Sequence, residues 1–290
     1  MQSELSKKIN TSIKLIKLIS QSAEEANSEL ELCYSAGKDS DVLLRLTQMA
    51  NVPYTAIYRE TTIDPPGTRY HALNAGAKVR EPKLSFREII EKKGFPSRYF
   101  RFCCEILKEY KILDFAMTGV RADESKKRAK YKEPSICRVY KHKEKVQMMM
   151  PILNWTTQDV SEFISTEGIK CHPIYYSADG EFHAERRLGC IGCPLANWKF
   201  RISELERYPK FVKLWIKAGQ VYLDTHPNVK ANEHFRDASD MFAYNLWCNS
   251  LKDFEQRFKI TLEQNNGLPP RKYIENTFNI DLSDIKPSEP

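Results

Sequence analysis

The sequence predicts a doubly wound α/β fold with a mostly parallel five-stranded sheet and a helical C-terminal extension. Short runs of β-forming residues alternate with helical segments, which is typical of a parallel sheet covered on both faces. Polar motifs follow three of these runs, as expected for a ligand site beyond the carboxyl ends of the strands. The chain has 290 residues and 41% hydrophobic content, enough to bury one large core or two modest ones.

The predicted elements begin with an amphipathic helix over residues 3–27, because Leu5, Ile9, Ile13 and Ile16 recur at helical spacing. Further helices are predicted after Ser85 and Thr156, which with Glu88 and Asp159 form helix-capping patterns. Five strands are predicted at 30–34, 54–58, 78–80, 116–120 and 146–152, and other helices at 39–50, 68–75 and 98–112.

The chain divides into four predicted segments. Residues 1–28 form the N-terminal helix, and 29–194 form the α/β domain. Residues 195–265 are rich in aromatic side chains and are predicted as a helical extension, followed by a tail at 266–290.

Charge and hydropathy restrict the class of protein. The net charge of +7, from 45 Lys+Arg and 38 Asp+Glu, fits an anionic ligand such as a nucleotide and also permits nucleic acid. A mean hydropathy of -0.54 and the lack of a long apolar run argue against a membrane protein. The first residues do not resemble a signal peptide, so a cytoplasmic protein is expected, in which the eight cysteines favour ligation over disulfides.

The most informative motif is the run Ser-Ala-Gly-Lys-Asp-Ser at residues 35–40, between a predicted strand and a predicted helix. Such a turn points backbone N–H groups and the positive helix end at an anion. Ser35 and Ser40 add hydroxyl donors, and Lys38 adds a cation. The run is not a Walker loop, because Leu32 stands where that pattern needs glycine and Asp39 stands where it needs Ser or Thr. The alternative is an ordinary polar turn.

A second anion-oriented motif, Gly-Val-Arg-Ala-Asp-Glu-Ser, occupies residues 119–125. Gly119 at a strand end permits close approach of a ligand, and Arg121 and Arg128 are suited to clamp phosphate or sulfate oxygens. The alternative is a surface turn with salt-bridged arginines. Asp39 and Asp64 are candidate contacts for Mg²⁺, and Asp39 equally suits the first turn of a helix.

The cysteines form the second strong signal, with an adjacent pair at 103–104 and a Cys-x-x-Cys at 190–193. Four thiolates can hold a [4Fe–4S] cluster or a zinc ion. Adjacent cysteines on a helix point about 100° apart, so both could bind a single metal ion only if the helix were distorted. A bulkier cluster requires less distortion. Zinc and unligated thiols stay open as alternatives. The candidate ligands are four of Cys103, Cys104, Cys137, Cys190 and Cys193.

Six ordered blocks resemble the phosphoadenylylsulfate (PAPS) reductase branch of the PP-loop ATP pyrophosphatase superfamily. Besides the motifs at 35–40, 119–125 and the cysteine pair at 103–104, they are Thr-Thr-Ile-Asp-Pro-Pro at 61–66, Pro-Ile-Leu-Asn-Trp-Thr-Thr-Gln-Asp-Val at 151–160 and Leu-Gly-Cys-Ile-Gly-Cys-Pro at 188–194.

The resemblance implies residue roles around an adenine nucleotide. Lys38, Asp39 and Arg121 are the implied catalytic residues. The implied nucleotide-binding residues are Ser35, Ala36, Gly37, Lys38, Asp39, Ser40, Thr61, Thr62, Asp64, Gly119, Arg121 and Arg128. Adenylylsulfate reductases also resemble this chain in pairing Cys-Cys with Cys-x-x-Cys around a [4Fe–4S] cluster.

The preferred hypothesis is an enzyme that binds ATP with Mg²⁺, adenylylates an acceptor with release of pyrophosphate, and prepares it for sulfur transfer from a donor protein or thiol reductant. A reductase of adenylylsulfate or phosphoadenylylsulfate is the first alternative. The cysteine pattern opposes this alternative. Thioredoxin-dependent reductases have a C-terminal cysteine beside Gly and His, whereas the last cysteine of this sequence is Cys248, which has no such neighbours. The second alternative is a nucleotide- and cluster-bearing module that binds nucleic acid (tRNA or DNA), motivated by a lysine-rich stretch at 126–145 and the aromatic C-terminal helices.

Overall fold

The structure is a computed structural model that describes residues 4–126, 128–131, 135–138, 145–258 and 269–286. It divides into two compact units. The first combines Met1–Pro82 with Glu105–Gly189, and the second combines Lys83–Cys104 with Cys190–Pro290. Within the described ranges, no helix has the length and apolar character needed to cross a membrane.

The first unit is built on a six-stranded sheet of order β3-β2-β1-β4-β6-β5. The strands β1 to β4 and β6 run parallel to one another, whereas β5 pairs antiparallel with β6 at the edge. The predicted doubly wound, mostly parallel sheet is therefore confirmed, and β5 is an edge strand that the sequence did not reveal. The strands are β1 Leu30–Tyr34, β2 Thr55–Arg59, β3 Lys78–Arg80, β4 Phe115–Thr118, β5 Ser135–Arg138 and β6 Lys145–Met149.

The helices of the first unit cover the sheet and bury its apolar side chains. The helix α1 ends where Asn27 adopts a left-handed conformation with φ of 51°. Ser12 on α1 donates to the carbonyl of Pro151 at 2.7 Å and accepts from the indole of Trp155 at 3.0 Å, which joins α1 to the segment after β6. These helices are α1 Glu4–Glu25, α2 Lys38–Ala50, α3 Thr68–Asn74 and α6 Thr157–Glu167.

The second unit is helical, with α4 and α8 packed together and α9 against α8. Its core contains the aromatic side chains Trp215, Phe242, Trp247 and Phe254. Residues 266–290 were predicted as a tail, and α11 lies there, with Ile274, Phe278 and Leu282 of this segment buried. The helices are α4 Phe86–Lys93, α7 Trp198–Arg207, α8 Pro209–Thr225, α9 Ala238–Trp247, α10 Leu251–Phe258 and α11 Pro269–Phe278, and α5 Phe102–Leu107 contains the boundary between the units.

The helix predicted over 98–112 is shorter in the structure, where α5 covers only Phe102–Leu107. The Ser97 hydroxyl accepts hydrogen bonds from the N–H groups of Tyr99 and Phe100, at 3.3 and 3.1 Å. This turn satisfies locally the amide groups that a longer helix would use, because a serine side chain competes with the helical backbone.

Candidate functional site

The loop at 35–40 connects β1 to α2 at the carboxyl edge of the sheet. Ala36 adopts a left-handed φ of 61°, a strained conformation for an alanine. Gly37 precedes the helix, and its carbonyl accepts from the Ser40 hydroxyl at 2.7 Å. The Ser35 and Ser40 hydroxyl groups lie 3.2 Å apart. The loop therefore gathers two hydroxyls at the first turn of a helix, where anions are stabilised.

Two cations meet one carboxylate beside this loop. The Lys38 ammonium lies 3.1 Å from Asp39, and the Arg121 guanidinium lies 2.7 Å from the other carboxylate oxygen. Lys38 and Arg121 are buried, at 7% and 2% exposure. The carboxylate thus compensates two buried positive charges, and an arriving phosphate group would compete with it for both of them.

Gly119 follows β4 and lies directly against the start of α2. A Cβ at this position would lie 2.8 Å from the carbonyl oxygen of Asp39 and 3.2 Å from the nitrogen of Ser40. Because both neighbours are backbone atoms, a larger residue would displace the first turn of α2. The two motifs predicted separately from the sequence therefore meet at one place.

The turn after β2 is organised by Asp64. Its carboxylate accepts from the Thr61 N–H at 2.9 Å and from the Tyr58 hydroxyl at 2.6 Å. Thr62 adopts a φ of 63°, which is strained for a β-branched residue. Strain of this kind persists where the surroundings impose the conformation and is common at functional sites.

Arg128 is half-buried and pairs with Glu124, which also accepts from the Arg121 N–H at 3.2 Å. Asp123 holds the same segment by accepting from the Thr157 N–H at 3.0 Å, and these Thr157 hydrogen bonds lower the pKa of Asp123. Of the lysine-rich stretch, Lys126, Lys130 and Lys145 are among the described residues, and Lys127, Lys132, Lys141 and Lys143 lie outside them.

A buried polar cluster under the loop escaped the sequence analysis. Asp41 on α2 accepts from Tyr34, and its oxygens lie 3.0 and 3.2 Å from Nε2 of His71. Burial, followed by the nearby Asp41 charge, raises the pKa of Tyr34. His172 packs edge-on against His71, and burial together with that histidine lowers the pKa of His172. The signal available was Asp41 itself, two positions beyond Asp39 in the first turn of α2.

Tyr175 is a second contact that the sequence did not indicate. Its hydroxyl accepts from the N–H groups of Lys38 and Leu188, at 3.2 and 3.3 Å. The Lys38 ammonium also lies 5.5 Å from the centre of the Tyr175 ring. Tyr175 therefore holds the backbone and the side chain of Lys38 from a segment 137 residues away.

In the second unit, four of the candidate cysteines are neighbours. The hydrogen bond of Cys103 with Cys104 raises the pKa of Cys103, and burial and the nearby Cys190 and Cys193 raise it further. The side chain of the fifth candidate, Cys137, lies outside the described part of the structure. Among the described residues, no group of three or more His, Cys, Asp or Glu side chains is arranged to hold a single metal ion.

The turn that carries Cys190 and Cys193 is held by buried side chains. Gly192 has a φ of 64°, and a Cβ there would lie 2.8 Å from the Trp215 ring. Its carbonyl accepts from Arg201 at 3.1 Å, and its N–H donates to Glu204 at 3.2 Å. Burial lowers the pKa of Arg201 to about 10, partly offset by Cys193 and Glu204.

The donor set fits a [4Fe–4S] cluster in number and chemistry, because such clusters are held by four cysteine thiolates. The four neighbouring thiols come from two segments, the start of α5 and the 190–193 turn. Asp39 and Asp64 supply carboxylate oxygens, the ligand class that Mg²⁺ prefers.

Curated relatives share part of this chain. It is 28% identical over 226 residues to an uncharacterized protein of Methanocaldococcus jannaschii, covering 71% of this chain and 51% of that protein. It is 27% identical over 199 residues to sulfate adenylyltransferase subunit 2 of Halorhodospira halophila, covering 57% of this chain and 65% of that protein. The matches thus span between about half and two thirds of these relatives.

Two solved structures show a distant likeness. One is the phosphate complex of PAPS reductase from Candida auris, with 18% identity and a TM-score of 0.39, covering 61% of this chain and 95% of that chain. The other is the U34-tRNA thiolase NcsA from Methanococcus maripaludis with its [4Fe-4S] cluster, with 16% identity and a TM-score of 0.37, covering 77% and 81%. At these scores neither likeness bears on function.

The family model described as the phosphoadenosine phosphosulfate reductase domain matches residues 29–196, more than half of the chain. The matched range contains the loop at 35–40, the motif at 119–125 and both cysteine pairs. The chain belongs to the phosphoadenosine phosphosulfate reductase domain family, within the PP-loop superfamily.

Proposed function

We propose that this chain is an enzyme that binds ATP or an adenylylated nucleotide at the 35–40 loop and adenylylates an acceptor for sulfur transfer. The observation that carries the proposal is the meeting of Lys38 and Arg121 on Asp39, beside the first turn of α2. Two buried cations and a helix N-terminus stabilise the charge of a phosphate chain.

The relatives support the adenylyl chemistry. The Halorhodospira halophila protein is named a sulfate adenylyltransferase subunit, and this name describes transfer of an adenylyl group. The family is named for reduction of phosphoadenosine phosphosulfate, which is an adenylylated sulfate. The reactions in these two names both involve an adenine nucleotide with a reacting group at its phosphate. They differ in the group that accepts or leaves the nucleotide.

In the proposed reaction, an acceptor oxygen attacks the α-phosphorus of ATP. The bond from that phosphorus to the oxygen bridging to the β-phosphorus breaks, and pyrophosphate leaves with the electron pair. Lys38 and Arg121 exchange their contact with Asp39 for phosphate oxygens, and the α2 N-terminus stabilises the developing charge. A sulfur nucleophile from a donor protein or thiol reductant then displaces AMP from the activated carbon, forming a C–S bond as the C–O bond breaks.

Asp39 and Asp64 would hold Mg²⁺, which neutralises phosphate charge when bound. The cysteines at 103, 104, 190 and 193 would hold a [4Fe–4S] cluster, which supplies iron for binding a sulfur species or electrons for its reduction. The Gly192 turn and Arg201 fix the backbone that carries two of these thiols.

The test of the loop uses Lys38→Ala and Ser40→Ala in the full-length protein. Each is expected to weaken ATP binding in calorimetry roughly ten- to hundredfold, because each removes a hydrogen bond to a charged group. Lys17→Ala, which removes an exposed lysine of α1, is the matched control and should bind ATP as the unchanged protein does. Unchanged affinity in both loop variants would refute the assignment.

A second candidate function is reduction of adenylylsulfate or its 3′-phosphorylated form to sulfite. The family match and the neighbouring Cys103, Cys104, Cys190 and Cys193 favour it. Anaerobically purified protein loaded with iron would be incubated with either substrate and a thiol donor. Sulfite formation would support the reductase, and pyrophosphate release from ATP in the presence of an acceptor would support adenylylation.

A further inference from the structure

Four large aromatic side chains are exposed in two short segments of the second unit. Tyr99 and Phe100 are 90% and 73% exposed, and Trp198 and Phe200 are 56% and 39% exposed. We call these four residues the aromatic ridge. Solvent exposure of a large ring is unfavourable, so several such rings in neighbouring segments indicate a binding surface.

Both segments are held in place by polar side chains. The Ser97 hydroxyl accepts from the N–H groups of Tyr99 and Phe100 and thereby fixes their turn. Asn197 caps α7 by accepting from the Lys199 N–H at 2.9 Å, which sets Trp198 at the first position of the helix. The rings thus stand on an ordered backbone, and binding would cost little conformational entropy.

The two segments are joined to each other and to the rest of the second unit. The Arg98 guanidinium donates to the carbonyl of Leu195 at 3.2 Å. The Asn245 amide donates to the carbonyl of Pro96 at 2.9 Å, and Arg201 donates to the side chain of Asn245 at 3.2 Å. The ridge therefore belongs to the same framework that holds the Gly192 turn.

The two segments that carry the ridge contain basic residues and no acidic ones. Residues 92–104 contain Lys92, Lys93, Arg98 and Arg101 and no Asp or Glu, and residues 188–203 contain Lys199 and Arg201 and again no acid. Arg98 and Lys199 are exposed, and the Lys199 ammonium lies 5.7 Å from the centre of the Trp198 ring. The surface thus interleaves rings with cations and presents no negative side chain from these segments.

We propose that the aromatic ridge binds single-stranded nucleic acid by stacking unpaired bases on Tyr99, Phe100 and Trp198. Every base offers a π-face, and exposed lysine and arginine contact the phosphates between the bases. The acidic side chains of a protein partner would pair with the lysine and arginine side chains, but they would not stack on the most exposed rings. Duplex nucleic acid would hide its bases from the rings.

If the ridge binds nucleic acid, then nucleic acid is the class of acceptor in the proposed function. This identification of the acceptor rests on the proposed function, whereas binding by the ridge does not. In the chain, Tyr99 and Phe100 lie a few residues before Cys103. The other two rings, Trp198 and Phe200, lie a few residues after Cys193. Binding of nucleic acid by the ridge can be measured without turnover.

The experiment uses the full chain and fluorescein-labelled oligouridine and oligothymidine of about 20 nucleotides, followed by anisotropy. Tyr99→Ala and Trp198→Ala are each expected to weaken binding about five- to hundredfold, the loss for one base–ring stack. Tyr99→Phe and Trp198→Phe retain a ring and should restore most of the affinity. Tyr70→Ala is the matched control, because Tyr70 lies on α3 and is 71% exposed.

The salt dependence of binding, and the comparison of RNA with DNA, give two further measurements. Lys199→Gln should lower the slope of affinity against salt concentration by about one and weaken uridine and thymidine strands alike. Tighter binding of RNA than of DNA would indicate contacts to the 2′-hydroxyl, and equal binding would indicate stacking and phosphate contacts alone; both agree with the proposal.

Three outcomes would overturn the inference. They are equal binding of a duplex, unchanged affinity in both alanine variants, and poly-glutamate binding as tightly as the oligonucleotides. The last would identify a docking surface for an acidic protein. ATP calorimetry on the same variants separates the two proposals, because the ridge variants should retain the ATP affinity that Lys38→Ala loses.

Discussion

At Gly192 the backbone has a left-handed φ of 64°, and the Trp215 ring lies where a Cβ would be, 2.8 Å away. We expect Gly192→Ala to lower the free energy of unfolding by about 2–4 kcal/mol, from backbone strain together with overpacking. Urea denaturation of the unloaded protein measures this loss.

The control is Gly168→Ala, at a φ of 60° with no atom within 4 Å of the new Cβ. It shares the backbone penalty of about 1 kcal/mol and lacks the contact with tryptophan. Equal losses in the two variants would show that the Trp215 contact does not constrain the turn.

His172 makes stability depend on pH. Burial and the neighbouring His71 lower its pKa, while the Pro66 backbone and Asp41 oppose the shift. The unfolded chain therefore takes up the proton first, and stability falls as the pH drops below the ordinary histidine pKa of about 6.5. His172→Asn keeps an acceptor for the Ile174 N–H, which His172 binds at 3.1 Å, and removes the titration.

We expect the variant to lose less stability than the unchanged protein when unfolding is compared between about pH 7 and pH 5. Between about pH 8 and pH 9, where histidine is neutral in both states, the difference between the two proteins should be constant. A parallel decline of both proteins on acidification would contradict the assignment.

At the scale of elements, the helix caps are the features that local sequence defines best. Ser85 with Glu88 and Thr156 with Asp159 form reciprocal capping boxes in the structure, as predicted. Asp159 also accepts from Lys8 on α1 at 2.6 Å, so this cap joins two helices.

Thr156→Ala should lower the free energy of unfolding by about 1 kcal/mol, because the Asp159 N–H loses its acceptor at the start of α6. Chemical denaturation measures the change. Thr166→Ala, at an exposed position near the end of the same helix, is the control and should leave stability unchanged within about 0.5 kcal/mol. A loss in the control equal to that at Thr156 would show that capping is not the cause.

At the scale of the molecule, a buried ion pair joins distant parts of the first unit. Glu31 on β1 is fully buried, pairs with Arg59 on β2 and accepts from the Leu113 N–H at 3.1 Å. Arg59 also donates to the carbonyls of Tyr110 and Lys111, at 2.9 and 2.8 Å. The pair thereby connects two strands to the segment that leads into β4.

Glu31→Gln keeps the shape and removes the charge, so Arg59 would stay buried without compensation. We expect a loss of about 3–5 kcal/mol in the free energy of unfolding. Glu91→Gln, which removes the surface pair with Arg87 on α4, is the control, with an expected effect below about 1 kcal/mol. Similar losses for the two substitutions in urea denaturation would show that burial of the Glu31–Arg59 pair does not make its disruption more costly to the free energy of unfolding.

The two groups of predicted site residues lie in different units. The loop at 35–40 and the motif at 119–125 belong to the first unit, and Cys103, Cys104, Cys190 and Cys193 belong to the second. The sequence prediction assigned both groups to one segment at 29–194, whereas contacts along the folded chain group the cysteines with the C-terminal helices. These domain boundaries stay a prediction.

The sequence by itself determined the parallel sheet, the loop at 35–40, both capping boxes and the family, because local motifs and their order along the chain are enough to indicate each of them. The tertiary structure alone decided that Arg121 meets Asp39, that Tyr175 holds Lys38 and that Asp41 binds His71. Partners 82, 137 and 30 residues apart leave no periodic pattern. The helix α11 also escaped prediction, since it packs against α9 and α7, which lie far from it in the chain. The edge strand β5 pairs antiparallel with β6, the next strand in the chain, a pairing that the sequence analysis did not recognise.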